Sequence, residues 1–185
     1  MRRSRRVVLT TTAATFAALA CGLGAASAAG GGAGDVAAGS ASNQFPFPFG
    51  PGAARLNVAA HSDASGANPG GEVHAQGTIG GPTGDFQVQG PVTCLRVDGN
   101  KAAIKYRFNT ATGSAAPLQG GGVEVFVEDN GEPRAGQPVD ANASRPPQPA
   151  GAFDTNASQC DDPNTATYDT VTSGNYTVHD RTAGP

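Results

Sequence analysis

Between Arg55 and Asp180 apolar side chains return at every second residue and nowhere keep a helical spacing. Such a chain must fold as strands buried on one face. Lys101 to Phe108 is the clearest case: Ala102, Ile104, Tyr106 and Phe108 share one face, and Lys101, Lys105 and Arg107 the other. The same alternation turns Leu56, Val58 and Ala60 inward, then Val73, Ala75 and Ile79, then Phe86 and Val88, then Leu95 and Val97. It returns at Val123, Val125 and Val127, and at Tyr176 and Val178. Turn residues separate these runs: Asn68-Pro69-Gly70-Gly71, Gly80-Gly81-Pro82, Asp98-Gly99-Asn100, Gly120-Gly121-Gly122 and Asp129-Asn130-Gly131. They supply the fixed and positive φ values that tight connections need. The expected fold is all-β, a single antiparallel β-sandwich, immunoglobulin-like or jelly-roll-like, of about seven strands over residues 55–185. Five prolines between Pro133 and Ala152 argue against a central strand there, and 133–152 reads as a long surface loop.

The start of the chain is of another kind. Arg2, Arg3, Arg5 and Arg6 precede an apolar run of 14 residues from Val7 to Ala20, and Ala26-Ser27-Ala28 is a small-x-small cleavage signal. Together these predict an export signal peptide over 1–28, removed after Ala28. Ser4-Arg5-Arg6-Val7-Val8-Leu9 also fits a twin-arginine address, which leaves that route and the general secretory route both open. Cys21 stands in a lipoprotein-like box one residue out of register, so a lipid anchor at Cys21 is the alternative to a free secreted form. Residues 29–54 are rich in Gly, Ala and Pro, with Val36 the one branched side chain, and read as a flexible linker. Its exception is Phe45-Pro46-Phe47-Pro48-Phe49, three proline-spaced aromatics that could bind a partner.

Cleavage after Ala28 removes Cys21 and leaves Cys94 and Cys160, an even count that reads as a disulfide in an oxidising compartment. Cys94 has the parity opposite to Leu95 and Val97, which frees it to reach another segment. Cleavage also takes four of the 12 basic residues and none of the 15 acidic ones, leaving a net charge of −7. A nucleic-acid partner is not expected of such a chain. No later run approaches the roughly 20 apolar residues of a membrane helix.

An ordered set of segments resembles a family. Asn68-Pro69-Gly70-Gly71-Glu72-Val73, Gly90 to Ala102, Val127-Glu128-Asp129-Asn130-Gly131-Glu132-Pro133, a later cysteine, and Ser173 to Asp180 look like small exported β-domain proteins of high-GC Gram-positive (actinobacterial) bacteria. The likeness covers about Arg55 to Asp180. It implies a secreted β-domain with paired cysteines and no established activity, and it brings no catalytic residue. The chain departs from it at Arg134 to Ala152, where a proline-rich insertion precedes Ala152-Phe153-Asp154.

Residue types that could carry chemistry are few. His61-Ser62-Asp63 are sequence neighbours, but a hydrolytic relay needs hydrogen bonds in series and an oxyanion hole, and neighbours at a strand end point apart. His61, His74 and His179 all have outward parity and could meet if the first, second and last strands were adjacent, yet no HxH or HxxxH pair is present. Asp129, Glu132 and Asp162 offer hard oxygen ligands for calcium without the regular spacing of a calcium loop. Three Asn-x-Ser/Thr sequons at Asn142, Asn156 and Asn175 are incidental in a chain of this kind. The expectation is therefore a secreted, non-catalytic module that binds or holds an extracellular or cell-envelope partner as a monomer, without catalytic residues, cofactor or metal. The alternative is a secreted hydrolase or metal-dependent enzyme using the outward histidines or the acidic turns.

Overall fold

The computed structural model describes residues 34–47, 50–79, 84–134 and 139–181. The expected signal peptide with Cys21 lies outside them, as does Phe49. Ten strands follow in chain order: β1 (Val36–Phe47), β2 (Gly50–His61), β3 (Gly70–Ile79), β4 (Asp85–Asp98), β5 (Lys101–Arg107), β6 (Thr110–Gly113), β7 (Gly122–Glu128), β8 (Ala141–Ser144), β9 (Asp169–Thr170) and β10 (Ser173–His179). A short helix, α1 (Ala150–Asp154), and single helical turns at Ala116–Leu118 and Pro163–Thr165 are the only helical pieces among the described residues. All-β antiparallel architecture is thus as expected. In place of about seven strands facing each other in a sandwich, the ten strands form one sheet in the order β10-β1-β2-β3-β4-β5-β7-β8-β9, with β6 on β4.

The sheet is curled because of how its ends are tied. β9 and β10 stand at opposite ends of the order but are joined by Val171 and Thr172 alone. Thr172 N–H and its hydroxyl both donate to Ser42 O of β1, while Val171 N–H donates to Asp140 O just before β8. The remaining edge of β10 is met by side chains. Asp140 accepts from Tyr176 N–H, and Asp129 Oδ2 accepts from Val178 N–H at 2.9 Å. Two carboxylates thus serve the donors that a neighbouring strand would otherwise serve, and no bare edge is left along this seam.

Residues 36–54, expected as part of a linker, form β1 and the first part of β2. β1 is an interior strand paired with β10 on one side and β2 on the other. Its small side chains suit the position. Gly39, at φ +133°, lies so close to β10 that a Cβ would fall 2.3 Å from Asn175 O, and Gly174 of β10, at φ +102°, would meet Ser40 O at 2.1 Å. Low apolarity here reflects close packing of backbones, which composition alone does not distinguish from a tether.

The two runs expected as separate strands around Gly90 are one, β4. Its inward residues are even-numbered up to Val92 and odd-numbered from Leu95, because the pairing with β5 passes from Val92↔Tyr106 to Cys94↔Lys105 through one extra residue, Thr93. This is a β-bulge, which bends the strand and switches its parity. Thr93 and Cys94 then both reach outward to the segment 145–163 that crosses the outer face of β5 and β7.

That segment corrects the expected loop at 133–152. Ala141–Ser144, a proline-free gap, pairs with β7, and Gly122 bridges to Gln148 beyond it. From there the chain runs over the sheet. Phe153 of α1 is buried against Gly122, where a Cβ would meet its ring at 2.4 Å. Cys160 is bonded to Cys94 with Cα atoms 5.8 Å apart, within the ordinary range for a disulfide. Thr93 Oγ1 donates to Ala157 O at 2.7 Å. Under this strap, the outward residues Lys105 and Glu124 become buried. Their charged groups stand 3.8 Å apart, Lys105 Nζ donates to Asn156 O, and Glu124 Oε1 accepts from Asp161 N–H. Burial raises the Glu124 carboxyl above its ordinary value, against the lowering effects of that N–H and of Lys105.

Candidate functional site

On the concave side the inward residues run in register from strand to strand. Leu56, Ala75, Val88 and Ala111 form one row across β2, β3, β4 and β6, and Ala54, Gly77, Phe86 and Gly113 form the next. Small residues fill half of the first row and all of the second but Phe86. In a curled sheet of this width, small inward side chains cannot reach across to the opposite wall. The consequence is a half-open cavity of ≈ 540 Å³. Val123 and Val125 of β7 and Tyr106 of β5 line its far wall, and Leu118 and Pro147 stand at its rim.

The rim is held in place by an amide. Gln119 Oε1 accepts from Ala111 N–H at 2.8 Å, and its Nε2 donates to Asn109 O at 2.7 Å. Its side chain thereby serves the backbone of β6 on the side that faces no strand, and fixes the helical turn that carries Leu118.

Among the described residues, none that lines the cavity is charged. Its polar groups are accounted for one by one. Ser114 and Ser144 donate to backbone oxygens of Gly84 and Arg145. Asn142, 1% exposed, accepts from Asn43 and donates to the Tyr176 hydroxyl at 2.9 Å. Burial pushes the Tyr176 phenol up to about 12, only partly offset by the Asn142 hydrogen bond. Tyr106, 1% exposed, packs edge-on against Phe108 with ring centroids 5.4 Å apart. Burial pushes its phenol well up too, which keeps it a neutral donor.

The candidates read from the sequence lie elsewhere. His179 and His61 flank β1 at the Val36 position, while His74 stands on β3 opposite Asn57, so the sheet does not gather the three. Ser62 Oγ donates to Asp63 O and the Asp63 carboxylate accepts from Asn68, an arrangement with no relay through His61. Asp129 spends one oxygen on Val178 and the other on Gly131. Asp162 caps the Pro163–Thr165 turn: the Asn164 N–H, helped by Arg96 at 3.3 Å, holds its carboxyl below the usual range. Glu132 is exposed, and no cluster of three or more His, Cys, Asp or Glu is placed to hold a metal among the described residues. Phe45 and Phe47 stand in β1 opposite Gly52 and Gly50, so this hairpin extends past Ile79, at the cavity's rim end.

The cavity was missed by sequence reasoning because each of its residues looks like ordinary core. The usable signal is the small side chains at inward positions, Ala54 and Ala75, where a filled core would carry larger ones. The chain matches no family model, and no curated protein or solved structure matches it.

Proposed function

We propose that this protein is an exported, non-catalytic binding module that takes a neutral, apolar small molecule into the hollow of its curled sheet. The observation that carries this reading is the cavity itself: ≈ 540 Å³ in volume, lined mainly by aliphatic and aromatic side chains, with Ser114, Asn142 and Ser144 as its polar members besides Tyr106 and no charge among the described residues. Concave, mostly apolar spaces with a few placed polar groups are where small molecules bind, and the mouth of a β-barrel is one recurrent position. Export is supported by the arginine-rich start, the cleavage signal and the Cys94–Cys160 bond, since disulfides persist outside the reducing cytosol. The resemblance to exported actinobacterial β-domains points the same way. No helix among the described residues is long and apolar enough to cross a membrane. A hydrolase or metal-dependent enzyme has less support, because the histidines stand apart and the acidic turns are occupied by backbone donors.

Nile red tests the reading directly. The oxidised chain from Ala29 onward is expected to bind it with a blue-shifted, enhanced emission, and Ala75→Phe, which places a ring in the hollow, is expected to abolish that signal with the fold retained. Equal emission from wild type and variant would place the dye elsewhere and defeat the proposal.

A further inference from the structure

Among the polar side chains that line the hollow, the Tyr106 hydroxyl alone has no hydrogen-bond partner among the described residues. Ser114, Ser144 and Asn142 are each spent on protein groups. Tyr106 is 1% exposed and sits at the centre of the sheet, between Val92 of β4 and Val123 of β7. A buried tyrosine normally finds a partner for its hydroxyl, and leaving it without one is costly. A phenylalanine would fill the same position without that cost. The hydroxyl is thus left for a ligand as far as the described residues go, and the surrounding chemistry limits what that ligand brings to it. With no cation in the lining, a carboxylate would enter uncompensated. The neutral phenol can donate or accept, so one neutral oxygen, whether carbonyl, ether or hydroxyl, satisfies both conditions.

Resting on the apolar-site reading above, we infer that the ligand is a neutral hydrocarbon skeleton bearing one neutral oxygen, and that this oxygen hydrogen-bonds with the Tyr106 hydroxyl. The rest of the molecule lies against Leu56, Phe86, Val88 and Val125, which offer only apolar contact. Tyr106 is thus a specificity residue, and the hollow discriminates by what the ligand carries at one atom.

The test uses three compounds on one skeleton, limonene, carvone and perillate, which differ as hydrocarbon, ketone and carboxylate. Each displaces Nile red from the oxidised chain, in wild type and in Tyr106→Phe. Carvone is expected to lose about tenfold in affinity in Tyr106→Phe, the worth of one hydrogen bond, while limonene changes less than about twofold. Perillate is expected to bind weakest to both proteins. Unliganded Tyr106→Phe is expected to melt at or above the wild-type temperature, because it removes an unpaired buried hydroxyl; a fall in melting temperature would mean that the hydroxyl is already satisfied by the protein and would overturn the inference. So would an unchanged carvone affinity in Tyr106→Phe, or perillate as the tightest of the three. Failure of Nile red to bind wild type at all would instead defeat the apolar site on which the inference stands.

Discussion

Asp140 shows how a single side chain can stand in for a strand. It is 2% exposed, and its two carboxylate oxygens accept from Asn130 N–H and Tyr176 N–H while its own carbonyl accepts from Val171 N–H. Asp140→Ala would strand two buried backbone donors at the seam, and we expect a loss of about 2–4 kcal/mol in urea unfolding, since each orphaned donor costs about 1–3 kcal/mol. Glu124 gives a prediction in pH. Burial raises its folded-state carboxyl above the ordinary value of 4.5, so the native state holds the proton more tightly than the unfolded state. Stability contributed by this group therefore increases as pH falls through the folded value towards 4.5, and is lost as pH rises. Urea midpoints of wild type minus Glu124→Gln should climb across that interval; a flat difference would contradict the burial of this carboxyl.

At the scale of elements, β1 and the strap over β5 and β7 carry the most weight. β1 supplies both neighbours of the sheet's tightest junction, pairing with β2 along its whole length and with β10 from Val36 to Ser42. A chain beginning at Arg55 would lack it and leave the Arg55–His61 edge of β2 and the β1-facing edge of β10 unpaired. We expect that truncation to give no dispersed amide spectrum and no cooperative melt, whereas a chain beginning at Ala29 gives both. The strap depends on the Cys94–Cys160 bond, whose ends are 66 residues apart in sequence. Replacing both cysteines by serine should cost about 4 kcal/mol in the chain-entropy picture. Cleavage by a nonspecific protease should then begin between Arg145 and Pro163, where the covering segment has few backbone bonds of its own.

For the molecule as a whole, the hollow sets stability against binding. Its walls lack partner atoms across the gap, and dispersion contacts that a filled core would make are forgone. Ala75→Phe should therefore raise the melting temperature of the unliganded protein even as it removes dye binding, an outcome read by differential scanning calorimetry. A ligand that occupies the space restores the missing contacts and binds only the folded chain. Saturation with carvone about a hundredfold above its Kd should add about 2.7 kcal/mol to unfolding free energy, and at the same concentration a tenfold weaker affinity in Tyr106→Phe should lower that gain by about 1.3 kcal/mol.

Period-two alternation, turn glycines and paired cysteines are local or countable features, and these were legible in the chain alone: the all-β class, the inward rows such as Ala102, Ile104 and Tyr106, and the Cys94 to Cys160 link. Even the β4 bulge leaves a trace, as the change of inward parity between Val92 and Leu95. What depended on distant parts of the chain meeting could not be read this way. Val36 to Phe47 is a strand because β10, more than a hundred residues later, pairs with it; its own Ala, Gly and Ser carry no alternation to announce it. Lys105 and Glu124 have surface parity and are buried only because residues 145–163 fold over them. The hollow was decided by the tertiary structure alone, since it is a difference between the space a curled sheet encloses and the volume its inward side chains supply. An alanine at an inward position reads the same in sequence whether the wall opposite is near or far.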